Sequence, residues 1–287
     1  MPQIDGVRMS MSPFAVIDSV GTICCFHQGI ANNGLLFMVE CVNGTWQNDM
    51  QVPNTNLSFN PCAVHFNDQI YVFHHGSNQD QALWYNIRDA NGQWVGDTRA
   101  FTNCLSYSPS AVVYDNKIWV FYHGANMAHT IRYNTFDGKV WAQEQTMPVL
   151  TFLNESPSVV KCDDQLFCFW NSATYGTVRW TKFDGKIWSK LRMVGKMGIT
   201  ASPSVVATPS DDLFLFSQTE RGSGKIWYSR YTEGQWSVGR RYEDWPNISE
   251  SPGACVVADQ IYIFHQERDS GMSHNGCLMY FTVPAGF

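Results

Sequence analysis

A chain of 287 residues that is 44% hydrophobic and only 15% charged holds ample apolar material for a large core and is too ordered in composition for a disordered segment. Its net charge of -6, with no run of Lys or Arg, excludes the basic face that a nucleic-acid partner requires. No apolar run approaches the ~20 residues that cross a bilayer, so membrane insertion is not expected.

The first element is the N-terminal segment "MPQIDGVRMS", which lacks the features of a secretory signal. The expectation is a cytoplasmic protein, or one exported without a classical signal peptide. Beyond it the chain repeats itself. "SPFAV", "NPCAV", "SPSAV", "SPSVV", "SPSVV" and "SPGAC" place Pro13, Pro61, Pro109, Pro157, Pro203 and Pro252 at intervals of 48, 48, 48, 46 and 49 residues. About 32 residues after five of these prolines stand Trp46, Trp94, Trp141, Trp188 and Trp236, in "NGTW", "NGQW", "DGKVW", "DGKIW" and "EGQW". Six units therefore start near residues 12, 60, 108, 156, 202 and 251 and fill the chain as one domain, 1–287.

Each unit reads as four short strands. In the third, "SPSAVVYD" is a small and β-branched run, and "KIWVFYHG" is an apolar strand that ends in polar residues. "HTIRYNTF" alternates, "DGK" reverses the chain, and "VWAQEQTM" is a more polar fourth strand. No stretch keeps a helical period. Four strands in roughly 40–50 residues is the signature of a propeller blade. The predicted fold is an all-β, six-bladed propeller of four antiparallel strands per blade. The 35 residues after Pro252 supply only three strands, and Ile4 precedes Pro13 by the same nine residues that separate Val52 from Pro61. Residues 1–8 are therefore expected to complete the last blade.

The nine cysteines lie mostly in apolar runs such as "GTICCF" and "QLFCFW", with no CxxC spacing. They read as reduced thiols filling core space. No metal or cofactor is expected. His74 and His75 are adjacent on a strand and so point to opposite faces, which does not build a ligand pair.

Polar residues that recur where a blade should be apolar are the candidate binding groups. One column closes the second strands: His27, His75, His123, Asn171, Gln218 and Gln266, with an extra residue placed in the fifth unit only. A second column on the third strands holds Tyr85, Tyr133, Trp180, Tyr228 and Tyr280, with Phe37 in the first unit. Beside it stand Trp84, Arg132, Arg179 and Trp227. Flat aromatic faces beside hydrogen-bonding groups suit sugars, whose C–H patches stack on rings while their hydroxyls meet fixed polar groups. The alternative is that such groups satisfy loop backbone. The Trp column reads as packing between blades.

Glu155 and Glu250 precede the Ser-Pro steps of the fourth and sixth units and could face the axis, as a propeller glycosidase would need. Arg132 and Arg179 resemble part of a sialidase arginine cluster, but the "SxDxGxTW" boxes of that family are absent.

The segments "FHHGSNQDQALWYNIRDANGQW" (73–94) and "SPSAVVYDNKIWVFYHGANMAHTIRYNTFDGKVW" (108–141) resemble the blades of bacterial propeller lectins of the Photorhabdus type. Those repeats run Ser-Pro-small-apolar, then an apolar strand ending near "RG", then "NALWYR" and "DGxxW". The resemblance implies binding of fucose and related methylated sugars. Known members have seven blades, against six units here. Six blades also mark the more distantly similar fucose lectins of the Aleuria type, where an Arg early in strand two and a Glu in strand three grip the sugar. The corresponding positions here are Tyr71, Trp119, Phe167, Phe214 and Tyr262 for the Arg, and Tyr85, Tyr133, Trp180 and Tyr228 for the Glu. His75 and His123 stand where the Photorhabdus-type repeat often has Arg before Gly.

The leading expectation is a multivalent, non-catalytic lectin whose partners are glycans and glycoconjugates, with homo-oligomer formation open. A glycosidase at the central funnel and a protein-interaction scaffold are the alternatives.

Overall fold

The computed structural model describes residues 2–102, 104–174, 176–219, 224–268 and 276–287. Met1, at the head of the predicted closing segment, lies outside the described residues. The described residues form strands, turns and two three-residue 3-10 segments, with no α-helix.

Repeats two to five each make a separate four-stranded antiparallel sheet. In the second, Cys62–Phe66, Gln69–His75, Leu83–Arg88 and Thr98–Phe101 follow one another in space as in sequence. The third, fourth and fifth repeat that order, from Ser110–Tyr114, Ser158–Cys162 and Ser204–Ala207 outward. The first and last repeats share one eight-stranded sheet, because Gln3–Ile17 belongs to both. Its N-terminal half pairs with Gly276–Pro284 at Gln3↔Met279 and Arg8↔Cys277. Its C-terminal half pairs with Ile23–Gln28 from Phe14↔Phe26 onward. Met11, with φ of +67°, sits where the register shifts and the strand passes from one sheet to the other. The expected pairing of the chain's two ends is therefore present, with Ile4 and Val52 buried alike.

The first strands of consecutive repeats neighbour one another all the way round, the last against Gln3–Ile17. The architecture is an all-β propeller. The recurring Ser-Pro step explains the ring's inner edge. The residue before proline is held extended and its side chain is free to accept. Ser12 N–H donates to Asn60 Oδ1 at 2.8 Å, Asn60 N–H to Ser108 Oγ at 2.8 Å, and Ser156 N–H to Ser202 Oγ at 3.1 Å. Each such bond links one repeat to the next.

Aromatic packing joins the sheets further out. Trp94 meets Phe26, Trp141 meets Phe73, Trp188 meets Phe121, Trp236 meets Phe169, and Trp46 meets Phe264 across the seam, at 5.6–6.3 Å and near-perpendicular. The last repeat has no such Trp. There Trp245 packs on Phe216 at 6.2 Å, and the C-terminal Phe287 stacks on Phe214 at 5.0 Å. All nine cysteines are thiols and eight are buried, filling space as their apolar surroundings imply.

Candidate functional site

The strand-end column is a structural tie. Gln218 Nε2 donates to the Ile248 carbonyl at 3.0 Å, Gln266 Nε2 to Met9 at 3.1 Å, and Asn171 Nδ2 to Ile199 at 3.4 Å. His75 bonds the backbone of Leu105. Each partner lies on the crossover that leads to the next first strand, so these side chains anchor the crossover. In the third repeat His129 takes this task, its Nδ1 2.8 Å from the Leu153 carbonyl, while His123 Nε2 accepts the His129 N–H. All but half-buried Gln218 are buried, and the column offers no surface for a sugar.

His27 does not belong to that column. The first repeat, like the fifth, carries a five-residue turn between its first two strands, Asp18–Thr22, where the equivalent paired positions of repeats two to four enclose four residues, as between His65 and Ile70. The register therefore moves by one, and Gln28 holds the place, donating to Leu57 at 3.2 Å. By the same shift, buried Met38 rather than Phe37 faces Phe26. His27 instead matches His74. Both are buried, with Nε2 on a carboxylate of the outer segment, Asp49 at 3.1 Å and Asp97 at 2.9 Å. His74 and His75 thus turn to opposite faces, as the pleat requires.

The aromatic column is inter-sheet packing. Tyr85 contacts Trp141, Tyr133 contacts Trp188, and Trp180 contacts Trp236, at 6.0, 6.1 and 6.4 Å. Tyr228 lies between Trp245 and Phe287. Trp180 and Tyr228 are buried, and Tyr85 and Tyr133 half-buried. Arg132 and Arg179 stand on third strands, two strands out from the axis. Arg132 is paired with Glu144 at 2.9 Å, and Arg179 sits opposite Trp170 and Met193. They do not build an arginine cluster at the funnel.

Two concave regions stand out among the described residues. At the axis, the Ser-Pro steps of all the repeats line a narrow cavity of about 70 Å³. The residues just before those steps include Phe59, Tyr107, Glu155 and Glu250. Phe59 and Tyr107 are ring neighbours at 5.7 Å, with Phe59 edge-on to His75 and Tyr107 stacked on His123. Burial, and then the charge of Glu250, push the Glu155 carboxyl up to about 7. Burial, and then Glu155, raise the Tyr107 hydroxyl. Glu155 thus lies within electrostatic reach of both Glu250 and Tyr107.

On the opposite face, where the turns between first and second strands lie, a cleft of about 320 Å³ opens between the first and second repeats. Asp18 and Val20 form one wall, and His65, Asp68, Arg88 and Asp89 the other. Arg88 crosses the boundary to pair with Glu40, both largely buried at 19% and 14% side-chain exposure. Asp18 and Asp89 each accept two backbone N–H groups of their own turns, which fixes the carboxylates at the rim. Sequence reading by repeat columns passed over this cleft, because its residues lie outside the polar and aromatic columns of the second and third strands. The available signal was a single opposite-charge pair 48 residues apart, one repeat length.

No protein-family model matches the chain, and no curated protein matches it. Solved structures do. A protein of unknown function from Dyadobacter fermentans aligns with a TM-score of 0.71 at 10% identity, over 97% of this chain and 98% of that one. The Aleuria aurantia lectin, described as a six-bladed β-propeller with a novel fucose recognition mode, aligns with a TM-score of 0.62 at 15% identity, over 97% of each chain. The Hadza microbial sialidase Hz136 aligns with a TM-score of 0.63 at 9% identity, over 98% of this chain and 66% of that one. A lectin and a sialidase at similar distances share only a scaffold with this chain, and what the likeness shows is the β-propeller fold.

Proposed function

We propose that this protein is a carbohydrate-binding, non-catalytic propeller that takes a sugar in the cleft between its first and second repeats. The observation that carries the reading is the Arg88–Glu40 pair bridging two repeats at a concavity of about 320 Å³. That size lies within the range of about 300–1,000 Å³ typical of small-molecule sites. Arg88 offers a fixed planar donor, the carboxylates of Asp68 and Asp89 accept from hydroxyls, and the Val20 side chain presents an aliphatic face. An Arg and a Glu are the groups the Aleuria-type resemblance would bring to a sugar, though here they come from third strands.

We read the six repeats as six blades of one domain spanning 1–287, with the eight-stranded sheet counting as two. Fucose and O-methylated sugars are the first ligands to try, since the Aleuria aurantia lectin of similar fold is described by its fucose recognition. Glycan-bearing partners and multivalent capture follow from the same reading, and agglutination of glycan-coated particles tests them.

Saturation-transfer NMR and calorimetry with a monosaccharide panel test the site. Binding at millimolar sugar is expected. His65→Ala and Asp68→Ala should each weaken it about tenfold, the worth of one hydrogen bond of ~1.4 kcal/mol. Asp68 is exposed and His65 half-buried in the cleft wall, so thermal stability should change little, least in Asp68→Ala. Silence across the panel would remove the function, and binding indifferent to both substitutions would remove the site.

A further inference from the structure

The net charge of -6 is unevenly spread around the ring. The unit 156–201 carries seven Lys and Arg against three Asp, a net +4, while each of the other five units is net negative. The excess gathers between the third strand Thr177–Phe183 and the outer strand Arg192–Gly198. There Arg179, Lys182, Lys186, Lys190 and Arg192 stand against the single acid Asp184. The position three residues after the recurring Trp is Asp49, Asp97 and Glu144 in the first three repeats and Leu191 in the fourth. The carboxylate that the outer segment supplies in those repeats is therefore missing here.

Lys186, Lys190 and Arg192 are exposed and make no ion pair among the described residues. Asp184 is engaged by its own turn, accepting the N–H groups of Lys186 and Ile187, each at 2.9 Å. Arg192 pairs in register with Trp180, and its guanidinium lies over that ring at 5.3 Å. Stacking of this kind sets the plane of the guanidinium before any ligand arrives. Lys182 stands two residues along from Trp180 and so on the same face, its Nζ held by Gln165 at 2.8 Å. At physiological salt exposed charges act over only about 8 Å, so a ligand at this edge meets the local excess of cations and not the charge of the whole molecule.

We propose that the outer edge of the fourth repeat binds a sulfated polysaccharide, whose sulfate groups pair with Lys186, Lys190 and Arg192. Arg offers a planar fork to a tetrahedral oxyanion, and Lys a mobile point charge. A neutral sugar has no use for these cations. Nucleic acid fits less well. Trp180 is buried and presents no face on which a base could stack, and a duplex needs a wider basic surface than one repeat between net-negative neighbours. The edge lies apart from the cleft between the first and second repeats, so neither reading depends on the other.

Calorimetric titration of a heparin octasaccharide into the intact protein tests the proposal. The fully desulfated octasaccharide and a single-stranded DNA oligonucleotide of equal charge are the comparators. The heparin fragment should bind, and raising NaCl from about 50 to about 200 mM should weaken it about tenfold or more, as release of three counterions requires. The desulfated chain and the DNA should each bind at least about tenfold more weakly. K186Q/K190Q/R192Q should lose at least about tenfold in affinity at the lower salt. Arg99→Gln removes an exposed guanidinium stacked on Trp84 in the net-negative second repeat, and should leave binding unchanged. No heat at low salt, equal binding of the desulfated chain or of the DNA, an unaffected triple variant, or an equal loss in R99Q would each overturn it. Should the triple variant fail to fold, K186Q/K190Q, altered only at exposed positions, and the salt and desulfation series on the unaltered protein decide.

Discussion

Two buried histidines set opposite demands from one half-buried glutamate. Burial lowers His123 and His265 to about 4, and His265 Nε2 meets no hydrogen-bond partner among the described residues. Their unfolded value is ~6.5, so the folded state resists protonation that the unfolded chain accepts. Their contribution is whole above pH 6.5 and is lost as pH falls toward 4, by roughly 3 kcal/mol for a fully buried ring. Replacing His265 by Gln should flatten the fall of melting temperature between pH 6.5 and 4.5, whatever it does to stability at pH 8. Glu155 acts in the other sense. Its folded value is raised, so its ionisation destabilises the fold progressively as pH rises from about 4.5 through about 7. Glu155→Gln should raise the melting temperature at pH 8 and leave it nearly unchanged at pH 4.5. A pH series of thermal melts on the three proteins checks both. Neither histidine could be assigned its role from sequence. A polar residue ending an apolar strand is equally a ligand contact and a crossover tie, and only the position of the Leu57, Ile199 or Ile248 carbonyl distinguishes them.

Within a repeat, the outer Trp and the inner Ser-Pro step each join neighbouring sheets, by different physics. Trp141 fills the space between Phe73, Tyr85 and Phe136. Truncating it to Ala should cost about 3 kcal/mol or more, as for other large aromatic truncations at packed sites. Ser202→Ala removes only the acceptor for Ser156 N–H, and a cost of about 1 kcal/mol is expected. Urea denaturation of the two variants tests the ranking, and a larger loss in S202A would mean that the inner ring, not the outer wedge, holds the sheets. The Trp column was legible as packing from its spacing alone. The slip at His27 and Phe37 was not. It comes from the five-residue turn Asp18–Thr22, and a residue added in a turn leaves no mark on the apolar run that follows it.

The ring as a whole depends on its seam. Residues 3–9 supply the outer strand of the last sheet, and Val7 and Met9 join a core cluster that includes Cys25, Cys41 and Cys255. A variant lacking residues 1–8 should melt markedly lower, and its seam cysteines should react with a thiol reagent that the intact protein resists. Unchanged melting and unreactive thiols would show that the seam carries no weight. At the junction of the fifth and last repeats, where the recurring Trp is missing, Phe287 and Trp245 share the wedge, so Phe287→Ala should destabilise, by less than loss of the recurring Trp in another repeat.

Sequence alone determined the repeat, its four-stranded unit, the closure by residues 1–8 and the buried thiols, because each is written in local periodicity that recurs along the chain. The two concave regions were decided by tertiary structure. Glu155 and Glu250 were visible as a pair at one register, but the coupling of Glu155 to Glu250 and to Tyr107 exists only where the ring brings separate crossovers together. The Arg88–Glu40 cleft is written in no repeat at all. It arises where two sheets meet with a turn of unusual length at their edge, and contacts between residues a full repeat apart leave no periodic trace.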